Sequence, residues 1–437
     1  VITGKTVMKS NIDRHFKHNT FSISSAELFW GMGTPIIIES TFLQLFLRRL
    51  GASSFLIGLV PSLFFIGVAL TGILSGFFTS HLSRKKTAVA ITHMGGAIWM
   101  PLFGVFFLVF GEAGSMLPLF FICYGGFALS MGLMAPVWHN FIVSLFSEKR
   151  VFKALSVMVT VQNIGKLISS FIIAGVVEKY AFSNRASAFI LIFVGVTFFA
   201  GSFFFLLARE AEETQNRKRI KKLRTHFTSN LFTVLKYPRF MLYLISNIEN
   251  YAVIGVISFY ANFATEYCGV SETIAAGFFV TAIYGGYFSV TVVFGWLNFL
   301  SIKKKLLLGK FCSITGIALL LVFEHPFWFI TVSYLLGVAR GIRILTYSPT
   351  VKILSGKRDA TNFFSLAALL LLPFSVGIPL INGSLLDRFS YLPWGGYRLV
   401  FSIMGILSLA GLSFLLRLRF PHESPGTSSS ATRKQTV

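Results

Sequence analysis

The stretch Arg209-Glu210-Ala211-Glu212-Glu213-Thr214-Gln215-Asn216-Arg217-Lys218-Arg219-Ile220-Lys221-Lys222-Leu223-Arg224 decides the fold. It opens a charged segment, 209–239, that holds nine Lys or Arg and is the one long polar interruption in an apolar chain. Six apolar segments precede it, near 22–47, 54–79, 87–110, 116–145, 154–177 and 187–208. Six follow, near 240–265, 273–299, 306–323, 327–354, 361–386 and 397–417. Each can cross a hydrocarbon core of about 30 Å as a helix. The expected fold is an all-α polytopic membrane protein of about twelve transmembrane helices, arranged as two six-helix pseudo-repeats. The expected organisation is a cytoplasmic N-terminal segment (1–21), an N-terminal half (22–208), a cytoplasmic linker (209–239), a C-terminal half (240–417) and a disordered cytoplasmic tail (418–437).

Composition excludes the other classes. Hydrophobic residues make up 54% of the chain and charged ones 13%, with 50 Phe. A soluble domain carries about 25% charge and could not hide so much apolar surface. Disorder fails for the same reason. Apolar runs of this length do not alternate as barrel strands do. The net charge of +23 would suggest nucleic acid in a soluble protein, but here its placement speaks for lipid. With the N-terminus inside, 30 of the 39 basic residues fall in cytoplasmic segments and six in outer loops. That bias orients the chain with both termini cytoplasmic. The three Cys lie far apart, with neither metal nor disulfide spacing. No apolar stretch ends in a cleavage site, so the first span is expected to direct insertion. No cofactor, metal or nucleic-acid partner is expected.

The halves echo each other. Gly76 with Arg84-Lys85 matches Gly295 with Lys303-Lys304, Lys149-Arg150 matches Lys357-Arg358, and Arg185 matches Arg398. Such duplication belongs to transporters whose site lies near the midplane between the repeats. Ionisable groups inside a span are costly and mark function. They are Glu39 on helix one, Lys166 on helix five, Glu249 on helix seven, and Arg340 and Arg343 on helix ten. Gln162, Asn163, Lys166, Ser169 and Ser170 form one polar stripe on helix five. Tyr243, Ser246, Asn247, Glu249 and Asn250 form another on helix seven. Such stripes face water or each other, not lipid; the plainer alternative is interhelical hydrogen bonding alone. Pro35 predicts a kink in helix one. Gly72/Gly76 and Gly337/Gly341 predict close helix packing. No nucleotide-binding loop or hydrolase spacing occurs, so an enzyme is not expected.

This layout resembles the major facilitator superfamily over roughly 22–417. The family's motif after helix two is a Gly, an acid, a base, a second Gly and a basic pair. Here the stretch reads Gly76-Phe77-Phe78-Thr79-Ser80-His81-Leu82-Ser83-Arg84-Lys85. Gly76 and the pair Arg84-Lys85 match; Ser80 stands where the family has Asp. The resemblance implies a gating loop of Gly76, Ser80, Arg84 and Lys85, and a cavity lined by helices one, four, seven and ten. Leu50-Gly51-Ala52-Ser53-Ser54-Phe55-Leu56-Ile57-Gly58, Ala135-Pro136-Val137-Trp138 and Leu207-Ala208-Arg209-Glu210 resemble a bacterial branch with no agreed substrate.

The expected function is secondary active transport of a small solute across the cytoplasmic (inner) membrane by alternating access, with lipids around it and a monomer as the working unit. Glu39 and Glu249 are the candidates for proton coupling. Three intramembrane cations against two acids favour an anionic or zwitterionic solute. The alternatives are an exporter of hydrophobic or cationic compounds, and a non-transporting membrane sensor or scaffold.

Overall fold

The computed structural model describes residues 14–38, 41–79, 85–146, 150–180, 182–210, 234–296, 300–356 and 361–420. Among these residues every regular element is a helix. Span 1 is Phe16–Ile37 followed by Thr41–Arg49, and span 2 is Ser54–Thr79. Span 3 is Lys85–Ala97 with Trp99–Phe110, and span 4 is Met116–Leu145. Spans 5 and 6 are Val151–Tyr180 and Asn184–Leu206. Span 7 comes in three pieces, Pro238–Ser246, Glu249–Ile257 and Tyr260–Tyr267. Span 8 joins Ile274–Phe278, Phe279–Val290 and Thr291–Trp296, the outer two pieces being wider π turns. Spans 9 to 12 are Ile302–Val322, Pro326–Ser355, Thr361–Arg388 and Tyr397–Arg417. Among the described residues, eleven helices, spans 2 to 12, are long and apolar enough to cross a membrane. Span 1 is long enough but carries Asn19, Ser22, Ser24 and Glu27, all buried within the protein.

Local chemistry sets the ends. Ser183 and Ser301 accept backbone N–H groups at the starts of spans 6 and 9, as N-caps do. Pro238 and Pro326 sit in the first turns of spans 7 and 10, where a missing N–H costs nothing. Gly356 closes span 10 in the left-handed conformation, φ 63°. Pro35 lies inside the first helix of span 1, which stops at Ile37, so the expected interruption falls just after the proline.

Two boundaries differ from the sequence expectation. Span 1 begins at Phe16, six residues before 22, which moves Glu27 away from the helix end. Span 9 begins at Ile302 and not near 306, so Lys303, Lys304, Lys305 and Lys310 lie on a helix and not in a loop. Lys310 is 4% exposed.

The halves repeat one packing scheme. In the first, span 1 packs on spans 5 and 6, span 2 on span 4, and span 3 on spans 4 and 6. In the second, span 7 packs on spans 11 and 12, span 8 on span 10, and span 9 on spans 10 and 12. Between halves, span 2 meets span 11 and span 5 meets span 8. These two seams are exchanged by the same pseudo-twofold. Large apolar side chains such as Phe110, Phe171, Phe203, Phe311 and Ile406 stand exposed around the bundle, as a lipid-facing surface requires.

At the face opposite the termini, the far face, the seam is closed by polar contacts. Asp387 of span 11 accepts the backbone N–H groups of Ser54 and Phe55 at 2.8 and 2.9 Å. It thereby caps the first turn of span 2 from the other half. Arg48 pairs with Glu266 at 2.6 Å and reaches Tyr397 Oη at 3.3 Å. A Cβ at Gly58 or Gly383 would collide with the backbone of Pro379 or Ser54 respectively, so small residues let spans 2 and 11 touch here.

At the near face a clasp holds the start of the linker to the first half. Lys86 Nζ donates to the carbonyls of Leu206 and Ala208, both at 3.2 Å. The Asn19 side chain bonds both the N–H and the C=O of Arg209, and Ser22 donates to Phe204 O at 2.6 Å. Glu210 in turn accepts the Lys86 backbone N–H at 2.9 Å, at the start of span 3. Burial lifts the Glu210 carboxyl above its ordinary range, although that N–H and the charges of Lys85 and Lys86 pull it down.

Candidate functional site

The helix-five stripe faces protein as its polarity demands. Gln162 Nε2 donates to Glu27 Oε2 at 2.6 Å. Asn163 Nδ2 reaches Thr291 Oγ1 of span 8 at 3.3 Å, across the halves. The Lys166 ammonium lies 5.1 and 5.4 Å from the ring centres of Tyr284 and Tyr287, also on span 8. Such placement is a cation–π contact. Ser170 turns back to the Lys166 carbonyl at 2.7 Å, a purely local bond.

Span 10 brings its cations to the same level. The Tyr287 backbone packs against Gly341, with Tyr287 Cα 3.2 Å from the place a Cβ would take. Gly341 lies between Arg340 and Arg343 in sequence, so the ring below Lys166 belongs to a residue seated on the Arg-bearing turn. Gly337, one turn earlier, has no room for a Cβ beside Ile283, and close packing is what the small-residue pair does here. The Arg343 guanidinium lies 5.7 Å from the rings of both Tyr251 and Tyr347. Its Nε is buried without a hydrogen-bond partner. Arg340 lines a cavity of about 40 Å³ between the halves, with Gln44, Leu47, Val60, Ile254 and Ser258 among its walls. That is room for two or three waters. Gln44 Nε2 donates to Ile257 O at 2.6 Å, while its Oε1 is buried and unpartnered.

Glu249 is engaged elsewhere. Its carboxylate pairs with Lys310 of span 9 at 2.9 Å and accepts the Ser313 hydroxyl. Lys310 also donates to Ser246 O at 2.7 Å. The Glu249 Cβ lies beside Gly411 of span 12, so this acid faces spans 9 and 12. The break in span 7 between Ser246 and Glu249 frees the Ser246 carbonyl that Lys310 takes. Asn247 and Asn250 are buried, each with an unpartnered Nδ2. Gly76 lies on span 2 and Lys85 opens span 3. Glu39, Ser80 and Arg84 lie outside the described residues.

Glu27 and Lys310 are among the buried ionisable groups that were not sequence candidates. Glu27, 6% exposed, is not a sequence candidate because a span starting at 22 places it near the membrane surface. The signal available was the polar run Ser22, Ser24, Ser25, Glu27 continuing a helix from Phe16. Lys310 was counted with the lysine cluster 303–305. Its signal was Glu249, an acid that needs a partner in the same half.

The Major Facilitator Superfamily family model matches residues 21–371. No curated protein matches the chain. Among solved structures, the nucleoside transporter NupG aligns with a TM-score of 0.70 at 13% identity, covering 91% of this chain and 99% of its own. The peptide transporter POT in complex with sulfate aligns at 0.66 and 14%, covering 92% and 94%. A bacterial homologue of the human lysosomal transporter Spinster, inward-facing and occupied, aligns at 0.62 and 14%, covering 91% and 96%. At such identities the likeness is one of fold.

Proposed function

The chain belongs to the major facilitator superfamily, and from that premise we propose that it carries a small anionic or zwitterionic solute across the membrane by alternating access, the halves rocking about the level of Tyr287. The observation that carries this reading is the convergence of Lys166, from one half, and the Arg340–Arg343 turn, from the other, on that one tyrosine. Counting Glu27 and Lys310 with the residues foreseen, four intramembrane cations stand against three acids, Glu27, Glu39 and Glu249. One positive charge is left over, and a buried charge without a counterion is costly. A carboxylate or phosphate can be held by two Arg forks. The closed far face supports a state whose opening is toward the termini, the cytoplasmic side in this reading. The exporter of cationic compounds is less well served, because the faces of Tyr251, Tyr284, Tyr287 and Tyr347 are already covered by the protein's own cations.

Flux of a solute panel into proteoliposomes tests the proposal. An anion or zwitterion is expected to move. Arg340→Gln and Arg343→Gln are each expected to weaken its binding roughly tenfold or more while the unfolding temperature stays near wild type. A neutral or cationic solute whose affinity survives both changes overturns the anion clamp.

A further inference from the structure

We propose that the solute is a zwitterion, its ammonium held by Gln44 Oε1, Ile257 O and Ser258 Oγ in the cavity that Arg340 lines. The proposal rests on the anion reading above and names the solute's other end. Spans 1 and 7 are counterparts in the two halves, and each has a helix ending at this cavity, Phe16–Ile37 in one and Glu249–Ile257 in the other. A helix end releases backbone carbonyls that an unbroken span keeps to itself. The Ile257 carbonyl accepts from Gln44 Nε2 of the other half at 2.6 Å.

That bond fixes which way the Gln44 amide points. Its nitrogen must face the carbonyl, so its oxygen is the end left over. Gln44 is 8% exposed, and its Oε1 is buried with no hydrogen-bond partner. Ser258 is committed in the same way. Its hydroxyl donates to Ile254 O at 2.8 Å, and what remains of it is acceptor. The Ile257 carbonyl keeps a second lone pair. These acceptors are neighbours, because Gln44 Oε1 belongs to the amide bonded to Ile257 O and Ser258 follows Ile257 in the chain. Leu43, Leu47 and Val60 add only apolar wall, where a polar atom left unmet is costly.

The cavity thus offers one guanidinium and a cluster of acceptors. A solute carboxylate answers the guanidinium but has nothing to give the acceptors. A solute hydroxyl brings one proton to them. An ammonium brings three, and its charge strengthens each bond. The cavity is only about 40 Å³, so selection in this state falls on the charged ends of the solute and not on a long side chain. Gln44 comes from one half and Ile257 and Ser258 from the other. The acceptor cluster therefore exists only while the halves touch here. In the alternating access proposed above, opening the far face takes the cluster apart and releases the ammonium.

The experiment is a binding panel on the purified full-length protein, made of amino acids, each beside the hydroxy acid and the plain carboxylic acid of the same skeleton. Wild type is expected to bind its best amino acid about tenfold or more tighter than the matching plain acid, with the hydroxy acid between them. Gln44→Met keeps the length of the side chain and loses the amide. It is expected to bring the ratio of amino-acid to plain-acid affinity down to about one. Ser258→Ala removes a single acceptor, is expected to lower the ratio about threefold, and keeps the test standing if Gln44→Met does not fold. A packing defect alone would weaken both members of a pair and leave their ratio. Plain acids bound as tightly as amino acids by wild type, or a ratio that the variants leave unchanged, overturns the proposal while the anion reading stands. Binding by no acid in the panel overturns both.

Discussion

Glu249 and Lys310 show what a single buried residue demands. Their side chains are 10% and 5% exposed, and each satisfies the other with help from Ser313 and the Ser246 carbonyl. Breaking such a pair from one side strands a charge and costs about 3–5 kcal/mol, whereas replacing both partners with apolar groups is often near neutral. Glu249→Met and Lys310→Met are therefore each expected to lower the thermal unfolding temperature sharply. The double variant is expected to recover most of the loss. A double variant no better than the worse single one would mean that the two charges are not coupled. This pair also shows how far residues could be read from sequence. Glu249 was visible because an acid in an apolar run stands out. Lys310 was not, because it follows three lysines, and charge clusters at span ends are the ordinary signature of an interface anchor.

At the scale of elements, the linker's first residues behave as part of the first half. Glu210 sits at the N-terminus of span 3, and its carboxyl binds a proton more readily in the fold than in the unfolded chain because burial outweighs the nearby N–H and lysines. The sign follows from linkage. A carboxyl with a raised folded-state value favours folding as pH falls through that value toward the unfolded one, about 4.3, and opposes it as pH rises again. Glu210→Gln keeps the acceptor oxygen for Lys86 and removes the charge. It is expected to unfold at or above the wild-type temperature at neutral pH, with the difference closing in acid. Thermal unfolding of both proteins across pH checks this, and a wild-type advantage that grows as pH rises would contradict it. Element existence was legible throughout, since about twenty apolar residues in a row have one solution in lipid. The breaks in span 7 and the π turns of span 8 were not, because Asn247 and Ser258 and the small residues of span 8 break or widen a helix only where neighbouring spans accept the released carbonyls.

For the whole molecule, the duplication seen in the spacing of basic residues reappears as duplicated packing, in keeping with the superfamily whose model matches residues 21–371. Orientation is the matching prediction. With 30 of 39 basic residues falling, by the sequence reading, in segments on the termini side, a single Cys at Ser229 in a Cys-free background is expected to resist a membrane-impermeant thiol reagent in intact cells and to react once the membrane is opened. Labelling from outside in intact cells would invert the assignment. The solute was out of reach of the sequence for a physical reason. In the site proposed above, its recognition rests on which rings and cations meet across two halves some 120 residues apart in the chain, as Lys166 and Tyr284 do, and no local pattern records that meeting.

Asp387 completes a helix that belongs to the other half. In the alternating access we propose, parting spans 2 and 11 at the far face takes the acceptor from the Ser54 and Phe55 amides and the donors from the Asp387 carboxylate, and water must take all of these places. Opening that face is thus a hydration reaction as much as a rotation. Osmolytes excluded from the protein surface lower the activity of the water consumed, and should hold the far face shut without touching the solute site.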